Sequence, residues 1–600
     1  MGLLQNIKTP DDLKKLDISQ LTDVAREIRE TIISVTDSNG GHLASSLGAV
    51  DIIVALYYVF DFKKDKLIFD VGHQAYAHKI LSERFEAFAT IRTEGGLSGF
   101  PSIFESKYDA FSVGHAGTSL AASLGYCYSR DKLKENYYVI SFVGDASLFN
   151  GENMEALFAN EKKPDKLLII LNDNGMSISK NTNGLYKSLA KMSMKKKYSR
   201  FMSAMDKIFG WNFVGKFLKG IKSFFKRSLD PFVVLDNVGL KYVGAFDGHN
   251  IKNLVQIFND FKASPRATML HLKTVKGKGY APAETNADLL HGVSKHLQSS
   301  DNSFSNCVYD LGKDLITSDD RTVFLTAGML LGTGLQKLST EYPNNIYDVG
   351  ISEEYCVTLA AGMAISGLKP IVCMYSTFLQ RAYDQTVVDV CLQNLPVIFL
   401  IDRAGLVGSD GVTHQGVFDL SYLSHIPNLT VLVPSRTAEL KQMVDYARAL
   451  GRPVAIRYPN GVINETKQVL NFSENSLWED LSDKNNCDSE YCIMACGPRM
   501  LDIALKVAAK TAVHVVNARS VKPLDNIMLD KYAEKKIITL EDNTEIGGFG
   551  SLVTAYYQKK GLSPVIEVVG VKDAFVEHAS VSSQLKKNSL TVEYVSGLIK

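Results

Sequence analysis

None of the eight cysteines pairs as CxxC, and no His/Cys group stands at zinc-ligand spacing. Cys127, Cys307, Cys356, Cys373, Cys391, Cys487, Cys492 and Cys496 are scattered, most in apolar contexts such as IVCMYS and VVDVCLQN. That usage excludes a disulfide scaffold and fits buried free thiols of a reducing compartment. An excess of one charge is missing too: the net charge of +1 gives no global attraction to nucleic acid or an acidic partner. The start, MGLLQNIKTPDDLKKLD, lacks the long apolar segment of a secretory signal. No apolar run approaches the roughly 18 residues that span a bilayer, and no short-period repeat marks a solenoid. The expectation is a soluble, cytoplasmic protein without a membrane or nucleic-acid partner.

What is present is ordinary globular material, 46% hydrophobic and 22% charged, long enough for about three or four domains. Short apolar runs alternate with helical patterns. KLIFDVG, YYVISFVGD, KLLIILND and ATMLHLKT come first; RTVFLTAG, NIYDVGI, KPIVCMYS, LPVIFLIDR, LTVLVPS and PVAIRYP follow; YCIMACG, VHVVNA, KIITLED and VIEVVG close the chain. This alternation predicts an α/β protein of three consecutive modules with mostly parallel sheets. Polar linkers near 286–306 and at 464–490 separate them, giving domains at 1–300, 301–465 and 485–600. Residues 187–227 differ, with twelve Lys or Arg, one acid (Asp206) and many aromatics. Such a stretch suits either an insertion with a solvated basic face or contact with an anionic surface.

Two apolar runs end in polar groups, one at Gly144-Asp145 and the next at Asn172-Asp173-Asn174, with ENMEALFANEKK between them. That is the outline of strand, crossover helix and parallel strand. Asp145 and Asn174 then fall at the carboxyl ends of neighbouring strands, where open α/β sheets bind ligands. They serve either as loop caps or as oxygen ligands of a Mg²⁺ ion whose shell is completed by phosphate.

Six longer blocks carry a family resemblance: SNGGHLASSLGAVDIIVALYYVF, FDVGHQAYAHKIL, GGLSGFPSIFESKYDAFSVGHAGTSL, KGKGYAPAE, YSTFLQRAYDQ and IDRAGLVGSDGVTHQGVFDLSYL. With the GD…NDN pair they make the chain resemble the transketolase-like thiamine-diphosphate enzymes, and among them the 1-deoxy-D-xylulose-5-phosphate synthase family. The third module matches more loosely, through VKPLD and GGFGS. The resemblance implies a transketolase-like fold, thiamine diphosphate and Mg²⁺ as cofactors, and a homodimer. It implies condensation of pyruvate with glyceraldehyde 3-phosphate, with loss of CO₂, to feed isoprenoid, thiamine and pyridoxal synthesis. Carried over residue by residue, it makes Asp145, Asn174 and Met176 the metal ligands. Gly114, His115, Ala116, Ala146 and Ser147 become diphosphate-side contacts, and Tyr280 a further cofactor contact. Glu353 would hydrogen-bond the aminopyrimidine as a protonated acid, and His42, His73 and His291 would line the reacting groups, His73 also touching the cofactor. Tyr375, Arg381, Arg403, Asp410 and His414 would bind substrate.

Four departures from the family pattern stand out. Ala146 and Gly175 replace a glycine and an acid beside the metal pair, and Glu354-Tyr355 replaces Gln-His after Glu353. Tyr458-Pro459-Asn460-Gly461 lacks the family's arginine at 460, leaving Arg403, with Arg457 a further candidate, for the acceptor phosphate. Two rivals follow: a related ketol or acyl transferase with another aldehyde acceptor, and a catalytically silent cofactor-binding relative.

Overall fold

The computed structural model describes residues 2–159, 162–175, 235, 238–286, 290, 303–461, 471–482 and 488–599. Met176, His291, Cys487 and the basic segment 187–227 lie outside the described residues. The chain forms two compact units, Met1–Ile91 with Gly96–His296, and Arg92–Gly95 with Leu297–Lys600.

The first unit is built on a five-stranded, wholly parallel sheet. Its strands are β1 (Lys66–Phe69), β2 (Val139–Gly144), β3 (Leu167–Asp173), β4 (Lys241–Asp247) and β5 (Thr268–Lys273), in the order β1-β2-β3-β5-β4. Every residue of β2 and β3 is buried, which explains their near-continuous apolar sequence: a central parallel strand is covered on both faces. Alternate residues feed two cores, Ile140 and Phe142 into one, Val139 and Val143 into the other. The helix Leu43–Val59 is buried from Leu43 to Tyr57, as its all-round apolar sequence requires. The expected crossover helix is Gly151–Phe158, N-capped by the Asn150 side chain.

In the second unit a seven-stranded sheet runs β15-β10-β11-β9-β8-β6-β7. Its parallel members are β6 (Thr322–Thr326), β7 (Ile346–Asp348), β8 (Lys369–Tyr375), β9 (Ile398–Asp402), β10 (Thr430–Leu432) and β11 (Val454–Arg457). After β7 the chain crosses β6 to lay down β8, so the topological switch, with its ligand-binding crevice, falls at the carboxyl ends of β6 and β8. A further sheet runs β12-β14-β13-β16-β17, from β12 (Glu479–Asp480), β13 (Tyr491–Cys496), β14 (His514–Asn517), β16 (Lys536–Thr544) and β17 (Ile566–Val571). Between β14 and β16, β15 (Ser520–Lys522) leaves this sheet and pairs antiparallel with β10. The two sheets of this unit are therefore laced together.

Candidate active site

In the first unit, Gly144 of β2 is in register with Asn172 of β3, so both motifs end side by side. Gly144 is extended and Asp145 opens a short helix, Asp145–Leu148. The Asp145 carboxylate is 3% exposed, and its Oδ2 has no hydrogen-bond partner among the described residues. Burial, then the neighbouring Asp173, pushes its carboxyl up to about 7, against the N–H groups of Ala146, Asp145 and Gly175. A buried carboxylate of this kind is costly unless a cation meets it. Among the described residues no three His, Cys, Asp or Glu side chains converge on a metal position. A hard cation here would take Asp145, an amide oxygen and ligand phosphate, and the donor set fits Mg²⁺. Asn174 is partly exposed, at the mouth of β3. Asn172 is occupied otherwise, donating to Gln74 at 3.1 Å and accepting from Thr274 at 2.6 Å.

Both departures in this stretch have a local reason. Ala146 lies inside a helical turn, where a methyl adds no backbone strain. Gly175 has φ +77°, a conformation that favours glycine.

Gly114, His115 and Ala116 precede Gly117, whose N–H donates to Asp70 at 2.9 Å. Asp70 also accepts from Ser119 N–H at 3.1 Å and the Asn153 amide at 3.1 Å, so this one buried carboxylate clamps the loop. Ser147 is buried, and its carbonyl accepts from Asn153 at 2.8 Å. His42 and His73 lie near one another, ring centres 6.2 Å apart, with Phe100 5.1 Å from His42. Ser45 and Ser46 donate to the His73 carbonyl at 3.1 and 3.0 Å. Desolvation, then the charge of Lys276, lowers the His73 pKa to about 3, which keeps the imidazole neutral. Lys276 is itself buried. Tyr280 is partly exposed and ends a loop that docks on the long helix through Gly277 N–H to the Ala44 carbonyl, 2.8 Å.

In the second unit the connection after β7 delivers Glu353 at the first position of helix Glu353–Ile365. Asp348 sets that connection, accepting from Gly328 N–H at 2.8 Å and Gly350 N–H at 3.0 Å. Glu353 is 3% exposed and its Oε2 has no hydrogen-bond partner among the described residues. Burial pushes its carboxyl up to about 7, opposed by Arg381 and aided by Glu354. Arg381 lies 3.9 Å from Glu353 and 4.0 Å from Glu354, so it serves this carboxylate pair. The replacement Tyr355 points outward, 57% exposed.

Tyr375 ends β8 and Arg403 follows β9. The Arg403 guanidinium stacks 4.0 Å from the Tyr375 ring, donates to the Gly332 carbonyl at 2.6 Å and pairs with Asp402 at 2.8 Å. Glycine at 332 leaves room for the Tyr375 hydroxyl: a Cβ there would fall 1.5 Å from it and push the ring aside. His414 stands edge-on to Phe378 at 5.6 Å, and burial lowers its pKa. Asp410 is paired with Arg92 at 2.7 Å. The sequence around Arg92 carried no signal for it, whereas Asp70 and Lys276 lie inside blocks already singled out.

Arg457 has another role than the one considered for it. It is fully buried between Asp419 at 3.1 Å and Asp542 at 3.2 Å, and it holds the last two sheets together. The guanidinium at Asn460 is instead that of Arg499, which donates to the Asn460 carbonyl at 3.1 Å and the Leu406 carbonyl at 2.8 Å.

Comparison with known proteins bears on the residue clusters of both units. Residues 4–274 match the family model of 1-deoxy-D-xylulose-5-phosphate synthase. Residues 303–465 match the transketolase pyrimidine-binding domain, and 485–595 the transketolase C-terminal domain. The 1-deoxy-D-xylulose-5-phosphate synthase of Clostridium tetani is 43% identical, over 99% of this chain and 98% of its own length.

The chain belongs to the 1-deoxy-D-xylulose-5-phosphate synthase family.

Family members from Carboxydothermus hydrogenoformans and Thermus thermophilus are 42% and 41% identical, each over 98% of this chain and 97% of their own length. A solved transketolase from Campylobacter jejuni aligns over 97% of this chain at 15% identity, with a TM-score of 0.43. Within the synthase family the pyrimidine-binding match spans Glu353, and the synthase match spans Asp145 and Asn174.

Proposed function

We propose that this chain condenses pyruvate with glyceraldehyde 3-phosphate, releasing CO₂ and forming 1-deoxy-D-xylulose 5-phosphate. It is a transketolase-type transferase that depends on thiamine diphosphate. The observation that carries the reading is Glu353, a buried carboxyl with its pKa raised to about 7, whose Oε2 has no hydrogen-bond partner among the described residues. A protonated acid in that state is a donor poised for a heteroaromatic nitrogen. Thiamine diphosphate, when bound, supplies the carbon nucleophile on which pyruvate is decarboxylated.

The chain's own residues do the rest. Asp145 and Asn174, with Met176, hold Mg²⁺, and the loop from Gly114 to Ala116 with Ala146 and Ser147 meets the diphosphate at amide-rich turns. Tyr280 and His73 contact the cofactor. His42 and His291 exchange protons with the reacting oxygens near neutral pH, and His73, held neutral, stabilises developing oxyanions by hydrogen bonding. Arg403, presented by Gly332 and Tyr375, grips the acceptor phosphate, and Asp410 and His414 meet its hydroxyls. Arg381 serves the substrate end by compensating Glu353 and Glu354.

The domain division at 1–300, 301–465 and 485–600 gives every domain its own main sheet. We assign the product to isoprenoid, thiamine and pyridoxal precursors, the chain to the cytoplasm and its assembly to a homodimer, which light scattering tests. No helix among the described residues is long and apolar enough to cross a membrane.

One observation favours a second reading: position 460, just beyond β11, is Asn where the resemblance expects arginine, Arg457 is buried in ion pairs, and the guanidinium there is that of Arg499. Steady-state assays with pyruvate and either glyceraldehyde 3-phosphate or unphosphorylated aldehydes separate the two. A preference for the free aldehyde sinks the first reading, and absence of CO₂ release from pyruvate sinks both in favour of a silent relative.

A further inference from the structure

Three side chains on β4, β5 and β3, neighbours in the first sheet, have no role in the reading above. The Tyr242 hydroxyl lies 2.6 Å from Nδ1 of His271, and Nε2 of His271 lies 2.7 Å from Oδ2 of Asp173. With the imidazole neutral, the hydroxyl donates to Nδ1 and Nε2–H donates to the carboxylate. His271 and Asp173 are both buried. Lys273 Nζ lies 3.4 Å from the same Oδ2, while Oδ1 accepts from the Gly175 backbone N–H at 3.1 Å. That N–H also faces the Asp145 carboxylate. The chain of hydrogen bonds therefore starts at the sheet edge and ends on the turn that carries Asn174, beside Asp145.

We propose that Tyr242, His271 and Asp173 are positioning residues for the cation-and-diphosphate half-site. His271 engages Oδ2 of Asp173 while Oδ1 holds Gly175, and the held turn fixes where Asn174 presents its amide oxygen. Without the imidazole N–H the Asp173 carboxylate loses its 2.7 Å contact at Oδ2, and its hold on the Gly175 turn is loosened. Partners one shell out from a metal ligand commonly set affinity in this way. The inference rests on Asp145 and Asn174 being the metal ligands.

The test is Mn²⁺ titration of the full-length protein with thiamine diphosphate present, free Mn²⁺ being read by electron paramagnetic resonance. Expected is a loss of Mn²⁺ affinity of about 10–100-fold in His271→Ala. His271→Gln, whose amide N–H can reach Asp173, should recover most of it, and Tyr242→Phe should show a smaller loss. The unfolding midpoint without metal and cofactor should stay close to wild type in His271→Gln and Tyr242→Phe. If Asp145→Asn loses Mn²⁺ while His271→Ala and Tyr242→Phe bind it like wild type, the positioning chain is wrong and the metal reading stands. If Asp145→Asn binds Mn²⁺ like wild type, the metal reading fails and takes the proposal with it. Should His271→Ala not fold, Tyr242→Phe carries the test, and wild-type affinity in it overturns the proposal.

Discussion

Glu353 concentrates the residue-scale chemistry. Its carboxyl is raised to about 7, above its value in an unfolded chain, so it binds a proton more tightly folded than unfolded. The stability that proton contributes is fully present below about pH 4.5 and is lost as pH rises through about 7. In the cofactor-free protein Glu353→Gln should therefore be more stable than wild type at pH 8, by up to about 3 kcal/mol. Urea unfolding at pH 5 and pH 8 measures it, and an equal difference at both values would refute the assignment. The same variant should lose about 10²–10⁴-fold in CO₂ release from pyruvate. Arg403→Ala should raise KM for a phosphorylated aldehyde by roughly 10–100-fold and leave that for a free aldehyde nearly unchanged. Equal changes for both would remove Arg403 from the phosphate site. At this scale residue type and neighbours in sequence pointed to Asp145 and Asn174, and the family resemblance pointed to Glu353 and Arg403. They were not enough for Arg457, whose partners Asp419 and Asp542 lie 38 and 85 residues away.

At the scale of elements, the loop ending at Gly117 is the most constrained. Gly117 has φ +98°, and a Cβ there would come within 2.1 Å of the Asn150 side-chain oxygen. Gly117→Ala should cost about 1–3 kcal/mol in strain and weaken thiamine diphosphate binding, since the same peptide is tied to Asp70. Calorimetric titration with thiamine diphosphate and Mg²⁺ checks the binding, and wild-type affinity would separate this loop from the cofactor. The apolar runs that announced β1 to β3 and most later strands did so because both faces of those strands are covered. β4 escaped the reading because it is largely uncovered, with residues such as Lys241, Gly244 and Ala245 exposed. β15, three residues long, escaped because its partner β10 lies some ninety residues upstream, beyond any local pattern.

For the whole molecule, the second unit shows why modules do not separate as cleanly in space as in sequence. Besides β15, Arg436 joins Glu439 at 2.9 Å and Glu479 at 2.7 Å, and Arg457 joins Asp419 to Asp542. All are buried, so removing one partner strands a charge. Arg457→Leu should destabilise the unit by about 3–5 kcal/mol, read by urea unfolding, and no loss would deny the network its role. Ligand linkage acts at the same scale. Thiamine diphosphate with Mg²⁺ at a hundredfold excess over Kd should add about 2.7 kcal/mol, and Asp145→Asn should abolish the increment. A full increment in that variant would place the metal elsewhere.

The sequence by itself determined the α/β class, most strands, the cofactor and the residues at the strand ends. The class and the strands follow from local periodicity, while the cofactor and the roles expected of the strand-end residues follow from the family resemblance of the motif blocks. Only the tertiary structure decided that Asp145 and Glu353 are both buried with an oxygen lacking a hydrogen-bond partner among the described residues. It alone showed that Arg457 is structural, that Arg499 and not residue 460 brings a guanidinium to the end of β11, and that Tyr242 reaches Asp173 through His271. Desolvation and long-range pairing depend on which distant segments pack together, and neighbouring residues carry no record of that.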